Sequence, residues 1–142
     1  MIPSSAQLTI CLLGLFSFLA GACPPDTIAM LDAHEFYIEV NRTPGAVVID
    51  VRTVREYNRS RIPGAVLADK SHQLFKLTDS LGRDYELFIY CEENSRSLTA
   101  GQLLSERGFH KVYILKEGIR GWRRSGLPVE KGKHPKKKNA RK

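Results

Sequence analysis

Short unbroken apolar runs alternate along this chain with stretches of helical spacing. Ala46-Val47-Val48-Ile49-Asp50-Val51 is too short for a helix and rich in β-branched residues, which predicts a strand covered on both faces. Thr43-Pro44-Gly45 turns the chain into it. Val66-Leu67-Ala68, Leu87-Phe88-Ile89-Tyr90 and Val112-Tyr113-Ile114-Leu115 predict three more strands. Between them lie helical signals. Glu56 and Tyr57 fall in a short helical stretch before the Pro63-Gly64 turn. Ser71 is a suitable N-cap for a helix over 72–81, where Leu74, Leu77 and Leu81 share a face and Gly82 ends the pattern. Leu98, Ala100, Leu103 and Leu104 predict a helix from Ser97 that stops at Gly108, and another covers Ile119 to Arg124. Ahead of all these, Asp26 to Val40 reads as a short helix entering an extended piece. Buried strands alternating with helices predict an α/β fold, a parallel sheet with helices on both faces. Ligands of such sheets sit beyond the carboxyl ends of the strands. Cys91 stands at such an end.

The two termini have a different character. Leu8 to Ala22 is almost entirely apolar and ends in small residues, which predicts an export signal over 1–22 and a periplasmic or cell-envelope location. Fifteen residues of helix span only about 22 Å, short of a bilayer core. Ala20-Gly21-Ala22-Cys23 also resembles a bacterial lipoprotein processing site, so two outcomes stand side by side: lipid attachment at Cys23, anchoring the chain to a membrane, or simple cleavage before it. At the other end, seven of the 22 Lys and Arg residues fall within 131–142, which holds no acid. The rest of the chain is thus balanced at 15 of each sign. The formal charge of +7 therefore describes a basic, disordered tail and not a nucleic-acid-binding face, and no specific nucleic-acid partner is expected. The domain limits predicted are 23–45 for an N-terminal segment with the first helix and 46–130 for the main domain.

Cys11 lies in the apolar signal, so Cys23 and Cys91 alone belong to a mature chain. Cys91 opens the run Cys91-Glu92-Glu93-Asn94-Ser95-Arg96-Ser97, between a predicted strand and a predicted helix. Several backbone N–H groups and a helix N-terminus can converge there on one atom and favour a thiolate, the reactive form of cysteine. Asn94 suits a residue at positive φ in a tight loop. Arg96 adds a fixed charge and a planar fork of donors. Glu92 and Glu93 act in the opposite direction, which predicts a preference for neutral or cationic thiols over small anions. His72 and His110 have no partners at metal-ligand spacing, and neither a metal nor an organic cofactor is expected. Trp122 reads as a packing anchor.

Four blocks in fixed order resemble the rhodanese family. They are Ile49-Asp50-Val51-Arg52 with Glu56-Tyr57, Arg61-Ile62-Pro63-Gly64-Ala65, Phe88-Ile89-Tyr90-Cys91 through Arg96-Ser97, and Gly118 with Gly121-Trp122 and Gly126-Leu127-Pro128-Val129. The resemblance implies a sulfurtransferase that carries sulfur as a persulfide on Cys91. It implies a substrate-binding loop of Glu92, Glu93, Asn94, Ser95, Arg96 and Ser97, with Asp50 and Arg52 as supporting residues. The partners implied are a small sulfur donor and a thiol acceptor. A non-catalytic thiol-binding or redox-sensing module is the alternative reading. A Cys-based phosphatase fits less well, because four residues separate Cys91 from Arg96 where such enzymes have five.

Overall fold

The computed structural model describes residues 27–132. The predicted signal over 1–22, Cys23 and most of the basic tail lie outside the described residues. In chain order the elements are β1 (Thr27–Leu31), α1 (Ala33–Arg42), β2 (Val47–Asp50), α2 (Val54–Arg59), β3 (Val66–Leu67), α3 (Ser71–Thr78), β4 (Glu86–Tyr90), α4 (Ser95–Glu106), β5 (Lys111–Leu115) and α5 (Gly118–Arg124). The strands form one sheet in the order β1-β5-β4-β2-β3, and every neighbouring pair is parallel. This is the predicted fold class. Among the described residues, no helix is long and apolar enough to cross a membrane.

Alternation along β4 explains why a strand with no polar face is stable here. Leu87 and Ile89 enter one core with Ile49, Leu74, Ala100, Leu104 and Val112, while Phe88 and Tyr90 enter a second core with Phe36, Val48, Leu115, Ile119 and Trp122. Cys91 continues the Leu87–Ile89 side. Trp122 is the anchor expected of it. It is buried against the edges of Phe36 and Tyr37, and its indole N–H donates to the Pro128 carbonyl at 2.8 Å.

Three local expectations are corrected. The segment before Val40 runs strand first and helix second, because Thr27–Leu31 pairs in register with Lys111–Leu115 along an edge of the sheet. A capping box then starts α1. The Asp32 carboxylate accepts from the His34 and Glu35 amides, and Glu35 reaches back to the Asp32 amide. Strand β1 and helix α1, both from the 23–45 segment, belong to the same sheet and core, with Phe36 fully buried. Ser71 is the first helical residue of α3 and not its cap; Lys70 occupies the cap position without a side-chain bond, and the helix ends at Thr78. Helix α4 begins at Ser95, two residues before the predicted start, so Arg96 and Ser97 lie in its first turn.

Candidate active site

Strand β4 delivers Cys91 to the carboxyl end of the sheet, and the chain turns through Glu92, Glu93 and Asn94 into α4. The Cys91 thiol is free and buried, 1% exposed. Its Sγ lies 3.5 Å from the Ser97 hydroxyl oxygen, and that hydroxyl donates to the Asn94 carbonyl at 2.8 Å.

The orientation of the loop follows from what holds its carbonyls. The Cys91 carbonyl accepts from the Ile119 amide at 2.9 Å and the Glu92 carbonyl from the Arg120 amide at 3.2 Å. The described chain has no cis peptide bonds. In a trans unit the N–H points opposite to the carbonyl it is bonded to, so the amides of Glu92 and Glu93 face away from α5. None of the amides from Glu92 to Ser97 donates to another described residue. Those of Ser95, Arg96 and Ser97 are the first turn of α4, where no intrahelical acceptor exists. Six consecutive donors thus have no acceptor among the described residues, and the last three stand at the positive end of α4.

Gly118 makes this arrangement possible. It adopts φ +56°, and a Cβ there would stand 2.3 Å from the Glu93 carbonyl oxygen and 2.4 Å from that of Glu92. Asn94, by contrast, does not take the positive φ expected of it; it caps α4 at φ −154°. Its side-chain amide donates to the Lys116 carbonyl at 3.2 Å, tying the loop to the β5–α5 connection. The left-handed residue is on the far side of the turn, at Gly118.

The charged residues are also placed differently from the expectation. Arg96 does not turn its fork into the loop but grips Glu56 of α2 with both nitrogens, at 3.0 and 2.9 Å. Arg96 thereby holds the Glu56 carboxyl well below the ordinary carboxylate range, with the Thr53 hydroxyl and amide assisting against partial burial. The Arg96 guanidinium is raised in turn, chiefly by Glu56 and to a smaller degree by Cys91. Glu92 and Glu93 are not free negative charges. Glu92 receives Arg123 at 2.6 Å and Arg52 at 3.2 Å, and Glu93 pairs with Arg120. The predicted repulsion of anions by this acidic pair is thus offset by three arginines.

Asp50 and Arg52 form the underside of the site. Both are buried, and the Asp50 carboxylate accepts from the Arg52 amide, Nε and Nη2 at 2.9, 3.0 and 2.7 Å. Arg52 also donates to the Ser60 carbonyl at 2.6 Å. Burial opposes the Arg52 charge, but Asp50 outweighs it and the guanidinium is raised above its ordinary value. Tyr90, beneath this pair, is pushed far up by burial and then by the Asp50 charge; its hydroxyl accepts from the Ile62 amide at 3.1 Å.

The rhodanese-like domain family matches residues 32–125. The chain belongs to that family. A thiosulfate sulfurtransferase GlpE of Glaesserella parasuis is 34% identical over 94 residues, covering 66% of this chain and 86% of the relative. One from Actinobacillus pleuropneumoniae is 32% identical over 106 residues, covering 74% and 95%. The solution structure of a rhodanese-like domain from Anabaena sp. superposes with a TM-score of 0.66 at 26% identity, over 77% of this chain and 86% of that one. At the level of the family the chain is a sulfurtransferase.

The rhodanese-like site of this chain includes residues that sequence reasoning did not assign to it. Glu56 stands in the sequence only as part of a motif, though Thr53-x-x-Glu56 is a legible capping box. Arg120 and Arg123 reach the loop from α5, and nothing in their local sequence announces it. Beside the loop lies a cleft of about 220 Å³ lined by Val51, Ala68, Asp69, Lys70, Leu74 and Arg96 among others. Its apolar floor of Val51, Ala68, Leu74 and Ala100 belongs to the same packed cluster as Cys91.

Proposed function

We propose that this sulfurtransferase moves sulfane sulfur from thiosulfate to a thiol through a persulfide on Cys91. The observation that carries the reading is the run of amides from Glu92 to Ser97, unpartnered within the described chain, at the strand end that bears the thiol. The Cys91 thiolate attacks the outer sulfur of thiosulfate, an S–S bond forms, and the S–S bond of the donor breaks with its electron pair leaving on sulfite. A thiolate acceptor then attacks the outer sulfur of the Cys91 persulfide. The new persulfide departs on the acceptor and Cys91 regains its thiolate, with no net oxidation or reduction.

Negative charge stays on sulfur in both half-reactions, which suits a ring of fixed N–H donors that need no reorganisation. The Ser97 hydroxyl is within reach of the same charge. The arginine partners of Glu92 and Glu93 remove the electrostatic obstacle to a dianionic donor. Arg96 is committed to Glu56, which disfavours the phosphatase alternative, since that chemistry needs a guanidinium for the phosphoryl oxygens. The test is release of sulfite from thiosulfate in the presence of a thiol. The wild type should turn over and Cys91→Ser should release none; equal release by both proteins would refute the proposal.

A further inference from the structure

The acids that meet the Cys91 loop each hold an arginine, but one of these pairs differs in kind. Glu92 takes Arg123 and Arg52, and Glu93 takes Arg120, all arginines from outside the loop. Glu56 takes Arg96, which belongs to the loop itself. The Arg96 amide is one of the six without an acceptor among the described residues, and the next residue, Ser97, brings its hydroxyl to 3.5 Å from Cys91 Sγ. Neighbouring Cα atoms are about 3.8 Å apart, so an arginine side chain rooted beside Ser97 is long enough to meet an anion bound over that sulfur. Its charge already acts on Cys91 from the clasped position. The Arg96 and Glu56 side chains are 42% and 27% exposed, so parting them unpacks no core.

Resting on the persulfide reading above, we infer that Glu56 is a positioning residue that sets donor selectivity: by holding Arg96 aside it leaves the donor to main-chain amides, which favours singly charged sulfane-sulfur donors over doubly charged ones. Amides satisfy one charge centred on sulfur. The oxygens of a second anionic group are matched best by the planar fork of a guanidinium, and Glu56 occupies that fork. Thiosulfate is therefore accepted without the cation that would bind it tightly. Released from Glu56, Arg96 finds Glu92 and Glu93 already paired. Asp69 lines the same cleft, but one of its oxygens is sealed from solvent. Glu56→Gln opens the clasp with little else disturbed. Oε2 accepts from the Thr53 amide and hydroxyl at 3.0 and 2.7 Å, bonds that a glutamine oxygen keeps, while the new NH2 faces an arginine that has only donors.

The test times sulfur loading of Cys91 by intact mass over a range of donor concentrations. Thiosulfate is the dianionic donor and methanethiosulfonate the monoanionic one. In each, the Cys91 thiolate takes the outer sulfur and the donor S–S bond breaks with its electron pair on the departing sulfite or methanesulfinate. Glu56→Gln should lower the half-saturating thiosulfate concentration about tenfold, lower that of methanethiosulfonate by about threefold at most, and leave the rate at saturation nearly unchanged. Unreactive sulfate should inhibit loading about tenfold more strongly in the variant. Arg96→Gln alone should barely change thiosulfate saturation, and the double variant should match it. A loosened fold would instead weaken both donors and lower the melting temperature. The inference is wrong, with the persulfide reading intact, if Glu56→Gln leaves thiosulfate saturation unchanged, shifts both donors alike, or acts equally without Arg96. A tenfold loss of thiosulfate affinity in Arg96→Gln overturns it as well, whether or not Glu56→Gln folds. Failure of the wild type to load from either donor overturns both.

Discussion

At the scale of single residues, Cys91 packs among apolar side chains and has few polar neighbours. Its one side-chain hydrogen-bond neighbour among the described residues is the Ser97 hydroxyl at 3.5 Å, and the loop amides that follow it in the chain cannot be removed by substitution. The single Ser97 hydroxyl proton is held by the Asn94 carbonyl and must turn to the sulfur to stabilise negative charge there; a bond to a charged atom contributes about 1.5–3 kcal/mol, less the Asn94 bond given up, so Ser97→Ala should slow sulfur transfer by a few-fold to about tenfold. Melting temperature should change little, and steady-state kinetics beside a thermal melt checks both. Arg52 obeys a different logic. It is paired with buried Asp50, and removing one member of a buried pair leaves an uncompensated charge. Arg52→Met should therefore cost about 3–5 kcal/mol in denaturant unfolding. A cost near zero would mean that the pair is not buried as described.

At the scale of elements, the loop is held from three sides: by α5 through its carbonyls, by α2 through Glu56 and Arg96, and by the β2–α2 connection through Arg52 and Glu92. Gly118→Ala puts a methyl group into the Glu92 and Glu93 carbonyls and forces a left-handed residue other than glycine. Activity should fall further than stability, whose loss should be about 1–3 kcal/mol. The Glu56–Arg96 clasp makes a pH-dependent contribution. Because the folded carboxyl titrates well below its ordinary value of 4.5, the clasp stabilises the protein fully above that pH, and the benefit disappears as pH falls toward the folded value. Glu56→Gln lacks this contribution at every pH. At neutral pH the two proteins should differ by about 1 kcal/mol, given partial exposure, and urea midpoints should converge in acid. A constant gap down to strong acid would contradict the assignment.

At the scale of the whole molecule, the sequence revealed strands more readily than edges. Continuous runs such as Val47–Ile49 and Leu87–Tyr90 can only be buried on two faces, so the parallel sheet was legible from them. The local pattern puts a helix before an extended piece in this segment, whereas Thr27–Leu31 becomes a strand by pairing with β5, a contact more than eighty residues away in sequence that no local pattern encodes. Cys91 and its loop were legible because strand, loop and helix are contiguous. The partners of the loop charges were not, since Arg120 and Arg123 come from α5, and the acids that look repulsive in the sequence are neutralised in the fold. Asp69 gave no signal for the same reason: only packing reveals that one of its oxygens is withdrawn from water without a donor. In the proposed persulfide chemistry these long-range contacts leave the loop amides free to hold negative charge on a sulfur atom bonded to Cys91. The most direct measurement is the intact mass of the protein after incubation with thiosulfate and removal of excess donor. The protein should gain one sulfur atom, lost on adding a thiol and absent in Cys91→Ser; an unchanged wild-type mass, or the same gain in the variant, would overturn the persulfide on Cys91.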